Sequence, residues 1–282
     1  MFKIFSNEMR KVKLGKTGET IPILGQGTWG IKKGRNKKYY EEWKASLRKG
    51  IELGMTHIDT AELYSFGTSE RVIGELIKEF DRDDLFITSK LFPKHFGYEA
   101  MIKACNKSLE RLDIKYIDLY LVHFPSFLFP KIKKHMRVME QLLNEGRIRY
   151  IGVSNYSIEQ FKIGQQYLKK SELITNQLQV NILNQKHIHN SLSFYQKEGV
   201  ILTAYSPLSH WGYTNLKGET RLKLEKIAKA YNASIQQIAI AWLINHDNVI
   251  AIPKAFQLKH VEANATAADI KLTDKEIKYL YM

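Results

Sequence analysis

Short apolar runs alternate with amphipathic stretches along most of this sequence, and this alternation constrains the fold more than any other feature. Eight of the runs have the length and composition of strands. In order they are Ile23–Thr28, Thr56–Ala61, Leu85–Leu91, Ile117–Phe124, Arg149–Asn155, Asn176–Asn181, Val200–Ser206 and Val249–Pro253. Helical spacing lies between them, as in Tyr39–Leu53 and Ser69–Glu79, and capping boxes predict helix starts at Ser157 and Thr273.

Eight β-then-α units within 282 residues predict an α/β fold, a (β/α)8 TIM barrel. A doubly wound sheet also alternates strands with helices. The regular spacing of eight units, without a linker or a break in composition, favours the barrel and a single domain over residues 1–282. The segment "KVKLGKTGETIPIL", with Gly15 and Gly18 at its turn, predicts an N-terminal β-hairpin at the barrel bottom.

Charge and composition exclude several kinds of partner and location. The chain has 43 Lys and Arg against 29 Asp and Glu, but the basic residues are scattered through predicted helices, so no nucleic-acid partner is expected. No apolar run approaches the roughly 20 residues of a membrane span, and the N-terminus lacks a signal-peptide pattern. We therefore expect a cytoplasmic protein with no membrane partner. Cys105 is the single cysteine, which excludes an intramolecular disulfide framework.

Polar side chains recur where the predicted strands end, which is the edge at which a barrel carries its active site. They are Asp59, Tyr64, Lys90, His123, Ser154, Asn155, Tyr205, Ser206 and Lys254. Taken singly, each has a structural explanation such as a cap or a packing contact. A lysine that ends an apolar strand, however, needs a partner to offset its desolvation. The convergence of Asp59, Tyr64, Lys90 and His123 on one rim favours a catalytic set.

These four side chains suit proton donation to a carbonyl. A free tyrosine has a pKa of about 10, and a neighbouring ammonium is expected to lower it. A carboxylate would hold the lysine in place, and a histidine can orient the carbonyl oxygen. Since the set contains no hydride donor, a nicotinamide cofactor would supply one. Neither Ser154 nor Ser206 lies in a G-x-S-x-G nucleophile context, and no spacing indicates a metal site.

Gly25, Gly27 and Gly30 have the G-x-G-x-x-G spacing of a Rossmann fingerprint. That fingerprint needs its third glycine to open a helix at the pyrophosphate. Here Gly30 is followed by the charged stretch "IKKGRNKK". We therefore expect this stretch to lie beside a dinucleotide without holding its phosphates.

The order of the motifs resembles that of the aldo-keto reductase family over nearly the whole chain. The motifs are "LGQGTWG", "HIDTAELY", "TSKLF", "DLYLVHFP", "GRIRYIGVSN", "NQLQVN", "AYSPL", "IPKA" and "HVEAN". The resemblance implies reversible reduction of aldehydes or ketones to alcohols by hydride transfer from NAD(P)H. It also implies that Tyr64 is the proton donor, that Asp59 and Lys90 tune it, and that His123 orients the carbonyl.

The resemblance further implies a site for NADP(H), with NAD(H) as the alternative. Its expected residues are Gly27, Thr28, Asp59, Ser154, Asn155, Gln177, Tyr205, Ser206, Leu208, Lys254, Ala255, His260 and Asn264. Lys254 matches the partner of a 2′-phosphate. Ala255 and His260 depart from the family's common hydroxyl and arginine, which leaves the preference between NADPH and NADH open.

The substrate pocket is expected to be open, because the chain ends shortly after Asn264, where many family members carry a long loop. Its expected walls are Trp29, Phe92, His123, Phe124 and Trp211. We expect a monomer acting on a small aldehyde, ketone or sugar. The alternative is a cofactor-binding regulatory or interaction module with little turnover, against which the complete set of four argues.

Overall fold

The computed structural model describes residues 9–93, 97–125, 129–209, 213 and 216–282. Their strands are β1 (Lys11–Lys13), β2 (Thr20–Pro22), β3 (Gln26–Gly27), β4 (His57–Asp59), β5 (Phe86–Leu91), β6 (Ile117–Val122), β7 (Ile148–Ser154), β8 (Leu173–Gln179), β9 (Ile201–Tyr205) and β10 (Val249–Ala251). Their α-helices are α1 (Lys37–Glu52), α2 (Thr68–Ile77), α3 (Tyr98–Leu112), α4 (Phe129–Asn144), α5 (Ile158–Tyr167), α6 (Lys186–Asn190), α7 (Leu192–Glu198), α8 (Gly218–Ala230), α9 (Ile235–Ile244), α10 (Leu258–Thr266) and α11 (Asp274–Tyr279).

Strands β3 to β10 form one parallel sheet in which each strand pairs with the next along the chain. The sheet closes on itself, because the Gly25 amide donates to the Ala251 carbonyl at 2.9 Å. The Ala251 amide in turn donates to the Ile23 carbonyl at 3.1 Å. This confirms the predicted (β/α)8 barrel. Every predicted strand is present, although β8 begins at Leu173, ahead of the expected Asn176.

Strands β1 and β2 form an antiparallel hairpin in which Val12 is opposite Ile21. The hairpin lies at the amino-terminal ends of the barrel strands. Glu19, next to its turn, forms an ion pair with Arg149 near the start of β7. The Arg10 guanidinium, just before β1, donates to the carbonyl of Ile244 at the end of α9 at 2.6 Å. The predicted hairpin at the barrel bottom is therefore confirmed.

The barrel strands are buried on both faces, as expected for a parallel sheet covered by helices. In β5 and β6 every residue is buried. Trp43, Leu47 and Ile51 of helix α1 recur every four residues on one buried face; Leu47 and Ile51 pack into the core that contains the sheet, and Trp43 packs with Ile31 and Val72 beside it. Because the strands have no face in water, a charged side chain within them must find its partner inside the protein.

Three helices begin with a reciprocal capping box. In α5 the Ser157 hydroxyl accepts from the Gln160 amide at 3.2 Å, and the Gln160 side chain accepts from the Ser157 amide at 3.0 Å. The same arrangement joins Thr273 and Glu276 before α11, so both predicted boxes are confirmed. A third box, at Ser234 before α9, was not predicted.

Candidate active site

A buried ion pair forms the floor of the site. Asp59 ends β4 and Lys90 lies near the end of the adjacent β5, and their exposed fractions are 1% and 0%. The Lys90 Nζ atom donates to Asp59 Oδ1 at 2.5 Å and to the Thr60 carbonyl at 2.9 Å. Burial alone would lower the pKa of Lys90, but its interactions with Asp59 and Tyr64 together outweigh burial and raise that pKa. The lysine therefore stays protonated.

Tyr64 lies in the loop after β4, with its hydroxyl 3.1 Å from Lys90 Nζ. Burial raises the pKa of Tyr64 above that of an ordinary phenol, and this outweighs the lowering effect of the Lys90 ammonium. The sequence-based expectation of a lowered pKa is therefore wrong, because it counted the charge of the lysine and not the depth of the site. The tyrosine keeps its proton at neutral pH and can donate it.

His123 follows β6 directly and is 8% exposed. Burial, aided by the Lys90 charge, lowers the pKa of His123 to about 3, so the ring is neutral at physiological pH. Its Nδ1 atom is buried and has no hydrogen-bond partner among the described residues. Nε2 is therefore the ring nitrogen that can bond to a ligand. The Phe124 ring stacks on the imidazole, with centroids 4.5 Å apart and planes 6° apart, and holds its orientation.

A hydrogen-bonded polar group lies beside this set. The Gln177 Nε2 atom donates to Asp59 Oδ2 at 2.7 Å, and the Ser154 hydroxyl donates to the Gln177 carbonyl at 3.0 Å. The Asn155 side chain donates to the His123 carbonyl at 3.2 Å and accepts from the Tyr205 hydroxyl at 2.9 Å. Residues from four strand ends are thus joined into one network around the ion pair.

These residues border a cavity of about 1040 Å³ at the carboxyl ends of the strands. The predicted residues among its walls are Gly27, Trp29, Asp59, Tyr64, His123, Phe124, Ser154, Asn155, Gln177, Tyr205, Ser206, Leu208, Lys254, His260 and Asn264. Trp211 lies outside the described residues. The structure therefore brings most of the predicted cofactor and substrate residues together.

Four predicted residues lie outside the cavity lining: Thr28, Lys90, Phe92 and Ala255. Thr28 supports the ion pair, because its hydroxyl donates to the Asp59 carbonyl at 2.9 Å. Lys90 does not line the cavity, but its Nζ atom contacts the Tyr64 hydroxyl, which does. The Phe92 amide donates to a Glu62 side-chain oxygen at 2.6 Å, so its backbone anchors the loop of the tyrosine.

Sequence reasoning missed several residues of the cavity wall, above all Ser234, Gln236 and Gln237 at the start of α9. They belong to no strand end, so the barrel rule does not point to them. A signal was nevertheless present, because Ser234 and Gln237 have the same capping-box spacing that predicted the start of α5.

The cavity walls carry two kinds of polar group. Ser154, Asn155 and Gln177 supply hydroxyl and amide groups in the network beside Asp59, whereas Lys254, Lys259 and His260 supply basic side chains. Hydrogen-bonding groups and basic side chains in one cavity fit a dinucleotide with phosphate groups. Among the described residues no cluster of His, Cys, Asp and Glu could hold a metal ion, and no helix could span a membrane.

Comparison with known proteins gives relatives along nearly the whole chain. The methylglyoxal reductase YeaE of Escherichia coli is 36% identical over 262 residues, which cover 93% of this chain and 90% of that protein. The glyoxal reductase of Bacillus subtilis is 33% identical over 265 residues, covering 92% of this chain and 88% of that protein.

Solved structures agree with this likeness. The thermostable aldo-keto reductase Tm1743, crystallised with the inhibitor epalrestat, superimposes with a TM-score of 0.90 at 40% identity, covering 96% of this chain and 98% of its own. An aldo-keto reductase of Klebsiella pneumoniae in complex with NADPH has a TM-score of 0.85 at 33% identity, with 96% and 93% coverage. The model of the aldo/keto reductase family matches residues 23–281, and this chain belongs to that family.

Proposed function

We propose that this protein reduces small aldehydes and ketones with NADPH and that Tyr64 is the proton donor. The observation that carries the proposal is the position of Lys90 Nζ, which is 2.5 Å from Asp59 and 3.1 Å from the Tyr64 hydroxyl at the edge of the cavity. A protonated phenol supported by a fixed ammonium is suited to give up a proton to a carbonyl oxygen that gains negative charge.

When bound, NADPH would supply the hydride for the new C–H bond at the carbonyl carbon. The Tyr64 O–H bond breaks as its proton moves to the carbonyl oxygen, and Lys90 stabilises the phenolate that remains. Neutral His123 donates a hydrogen bond from Nε2 to the same oxygen and so orients the carbonyl. A proton from solvent restores Tyr64 after the alcohol leaves.

The cofactor site is proposed on the chemistry of the cavity. Ser154, Asn155 and Gln177 would hold the nicotinamide amide, and the Tyr205 ring would pack against the nicotinamide face. Lys254 and His260, with Lys259, would face the phosphates. The Klebsiella pneumoniae relative was crystallised in complex with NADPH, which supports NADPH as the cofactor of the proposed site. A comparison of kcat/KM for NADPH and NADH tests it, and equal values would remove Lys254 as a determinant of cofactor choice.

We propose 2-oxoaldehydes as the substrate class. The relatives in Escherichia coli and Bacillus subtilis are named for the reduction of methylglyoxal and glyoxal. The cavity mouth is open here, because Trp29 and Phe124 are 58% and 41% exposed. An open mouth with aromatic walls can admit a compact dicarbonyl, and the second carbonyl makes the first a better hydride acceptor.

The test is NADPH consumption with methylglyoxal, glyoxal and a panel of simple aldehydes. Tyr64→Phe should lower kcat by about 10² to 10⁴, the usual contribution of a positioned general acid, and leave NADPH affinity nearly unchanged. Tyr116→Phe is the matched control, since Tyr116 lies just before β6 and outside the cavity.

Two outcomes would contradict different parts of the proposal. An active Tyr64→Phe variant would remove the tyrosine from the mechanism. A wild-type protein that binds NADPH tightly and reduces none of the carbonyls would instead be a cofactor-binding module.

A further inference from the structure

A run of basic residues follows the cavity-lining Trp29 on the first loop of the barrel. We define the basic loop as residues 32–38, whose cations are Lys32, Lys33, Arg35, Lys37 and Lys38. All five are exposed, and no carboxylate among the described residues lies within the 4.0 Å of an ion pair with them. Glu41, the next acidic residue, pairs with Lys44 at 2.8 Å instead.

The backbone of the basic loop is nevertheless held in place by two tyrosines of α1. The Tyr39 hydroxyl accepts from the Lys32 amide at 3.1 Å and donates to the Gly30 carbonyl at 3.0 Å. The Tyr40 hydroxyl donates to the Lys32 carbonyl at 3.0 Å and accepts from the Arg35 amide at 3.2 Å. The loop therefore presents its cations to solvent from a fixed position.

The charges at the start of α1 oppose the intrinsic preference of a helix. Lys37 and Lys38 occupy the first turn of α1, where the helix dipole favours acidic residues and disfavours cations. The first turn contains no acidic residue at all. Lys37 interacts electrostatically with Glu41 one turn further along, but neither lysine forms an ion pair with a described residue. Residues that break a local rule in this way indicate a role outside the stability of the fold.

The basic loop lies beside the part of the cavity wall that carries Lys254. Lys254 lines the cavity, and its Nζ atom lies over the Trp29 ring, 5.9 Å from the centroid. Phe256, two residues later, packs against Tyr39 and Trp43 of α1, with centroid distances of 5.7 and 5.2 Å. The segment after β10 and the segment that carries the basic loop therefore lie side by side.

We propose that the basic loop is an electrostatic capture surface for the phosphates of NADPH, and this rests on the proposed function. Exposed cations on long side chains contribute little to the affinity of a bound complex, but they raise the rate at which an anion arrives. At low salt such a surface can raise an association rate by roughly 10 to 10³. The basic loop would accordingly act before the cofactor reaches Lys254.

The experiment measures the association and dissociation rates of NADPH by stopped-flow quenching of the protein's tryptophan fluorescence. In the loop variant, Lys32→Gln, Lys33→Gln and Arg35→Gln are combined. Its association rate should fall about tenfold at low ionic strength and approach that of wild type near 1 M salt, where the Debye length is about 3 Å. Its dissociation rate should stay within about twofold of wild type.

The matched control combines Lys103→Gln, Lys107→Gln and Lys115→Gln, which removes the same formal charge. Lys103 and Lys107 are exposed on α3, Lys115 is exposed before β6, and none of them lines the cavity. The control should change the association rate less than twofold. NADH, which lacks the 2′-phosphate, should respond less than NADPH to the loop variant.

Each other outcome overturns the inference. Equal association rates for the loop variant and the control would remove the capture role, while NADPH binding by wild type would leave the proposed function intact. A faster dissociation alone would make the loop part of the bound site. A loss confined to KM for glyceraldehyde 3-phosphate, compared with glyceraldehyde, would assign the loop to an anionic substrate. Wild-type protein that does not bind NADPH would refute both proposals.

Discussion

At the scale of single residues, the Lys90 ammonium lies between the Asp59 carboxylate and the Tyr64 hydroxyl and contacts both. Asp59, Lys90 and Tyr64 were identified because polar groups end buried strands, and the structure brings all three within hydrogen-bonding distance. The upward shift in the pKa of Tyr64 depends on how deeply the phenol is enclosed, which no spacing reveals. The bond from Gln177 to Asp59 likewise joins residues 118 positions apart.

The proposed function gives Lys90 a catalytic role in addition to its structural ion pair with Asp59, and two variants separate the two roles. Lys90→Met leaves the Asp59 carboxylate buried without its cation, which typically costs 3–5 kcal/mol (a rough range) in free energy of unfolding. The combined variant Asp59→Asn with Lys90→Met removes both charges and should recover most of that loss. Both variants should reduce carbonyls about 10² to 10⁴ times more slowly, since neither retains the ammonium beside Tyr64.

Urea denaturation and steady-state kinetics on the same samples check this expectation. If the combined variant stayed as unstable as Lys90→Met, an uncompensated charge would not be the cause of the loss. If it regained activity together with stability, the lysine would act only through the fold.

At the scale of elements, strands were easier to predict than cavity walls. The buried strands stand out as apolar runs, so all eight were found, although the predicted β8 leaves out residues 173–175, with which the strand begins. The wall formed by Ser234, Gln236 and Gln237 comes from a helix start. Its approach to the strand ends is decided by how α9 packs on the barrel, which local patterns do not encode.

The capping box of α5 gives a test at this scale. Ser157→Ala removes the hydroxyl that accepts from the Gln160 amide and should lower the free energy of unfolding by about 1 kcal/mol. Ser157 is outside the cavity lining, so turnover should be unchanged. Thermal or urea unfolding measures the change, and Ser157→Asp, which can still cap the helix, is the control. A similar loss in Ser157→Asp would show that the cap is not what the alanine removes.

At the scale of the whole molecule, the barrel holds histidines that resist protonation. Burial lowers the pKa of His57 and of His123 to about 3, and the pKa of His135 to about 4. The unfolded chain would bind protons at these rings near pH 6.5, whereas the native protein does not. Between these values the unfolded state holds more protons, so stability should fall as the pH falls.

A variant of His57 can measure how much one buried histidine contributes to the loss of stability at low pH. It is fully buried inside the barrel, with Nε2 2.9 Å from the Thr88 hydroxyl. From pH 6.5 to pH 5 it should account for about 2 kcal/mol of lost stability, at 1.36 kcal/mol per pH unit. His57→Gln keeps a hydrogen-bonding group near Thr88 without titrating. Urea denaturation at both pH values should show that this variant loses about 2 kcal/mol less than wild type, and an equal loss would contradict the assignment.

The closure of the barrel also has a consequence for how the protein is made. The cavity is lined by residues from Gly27 to Asn264, and the first barrel strand meets the last through Gly25 and Ala251. A ribosome delivers these two edges at opposite ends of translation. A nascent chain therefore lacks part of the proposed cofactor site until its final strand and α10 have emerged, so NADPH is not expected to stabilise an earlier intermediate of synthesis through that site.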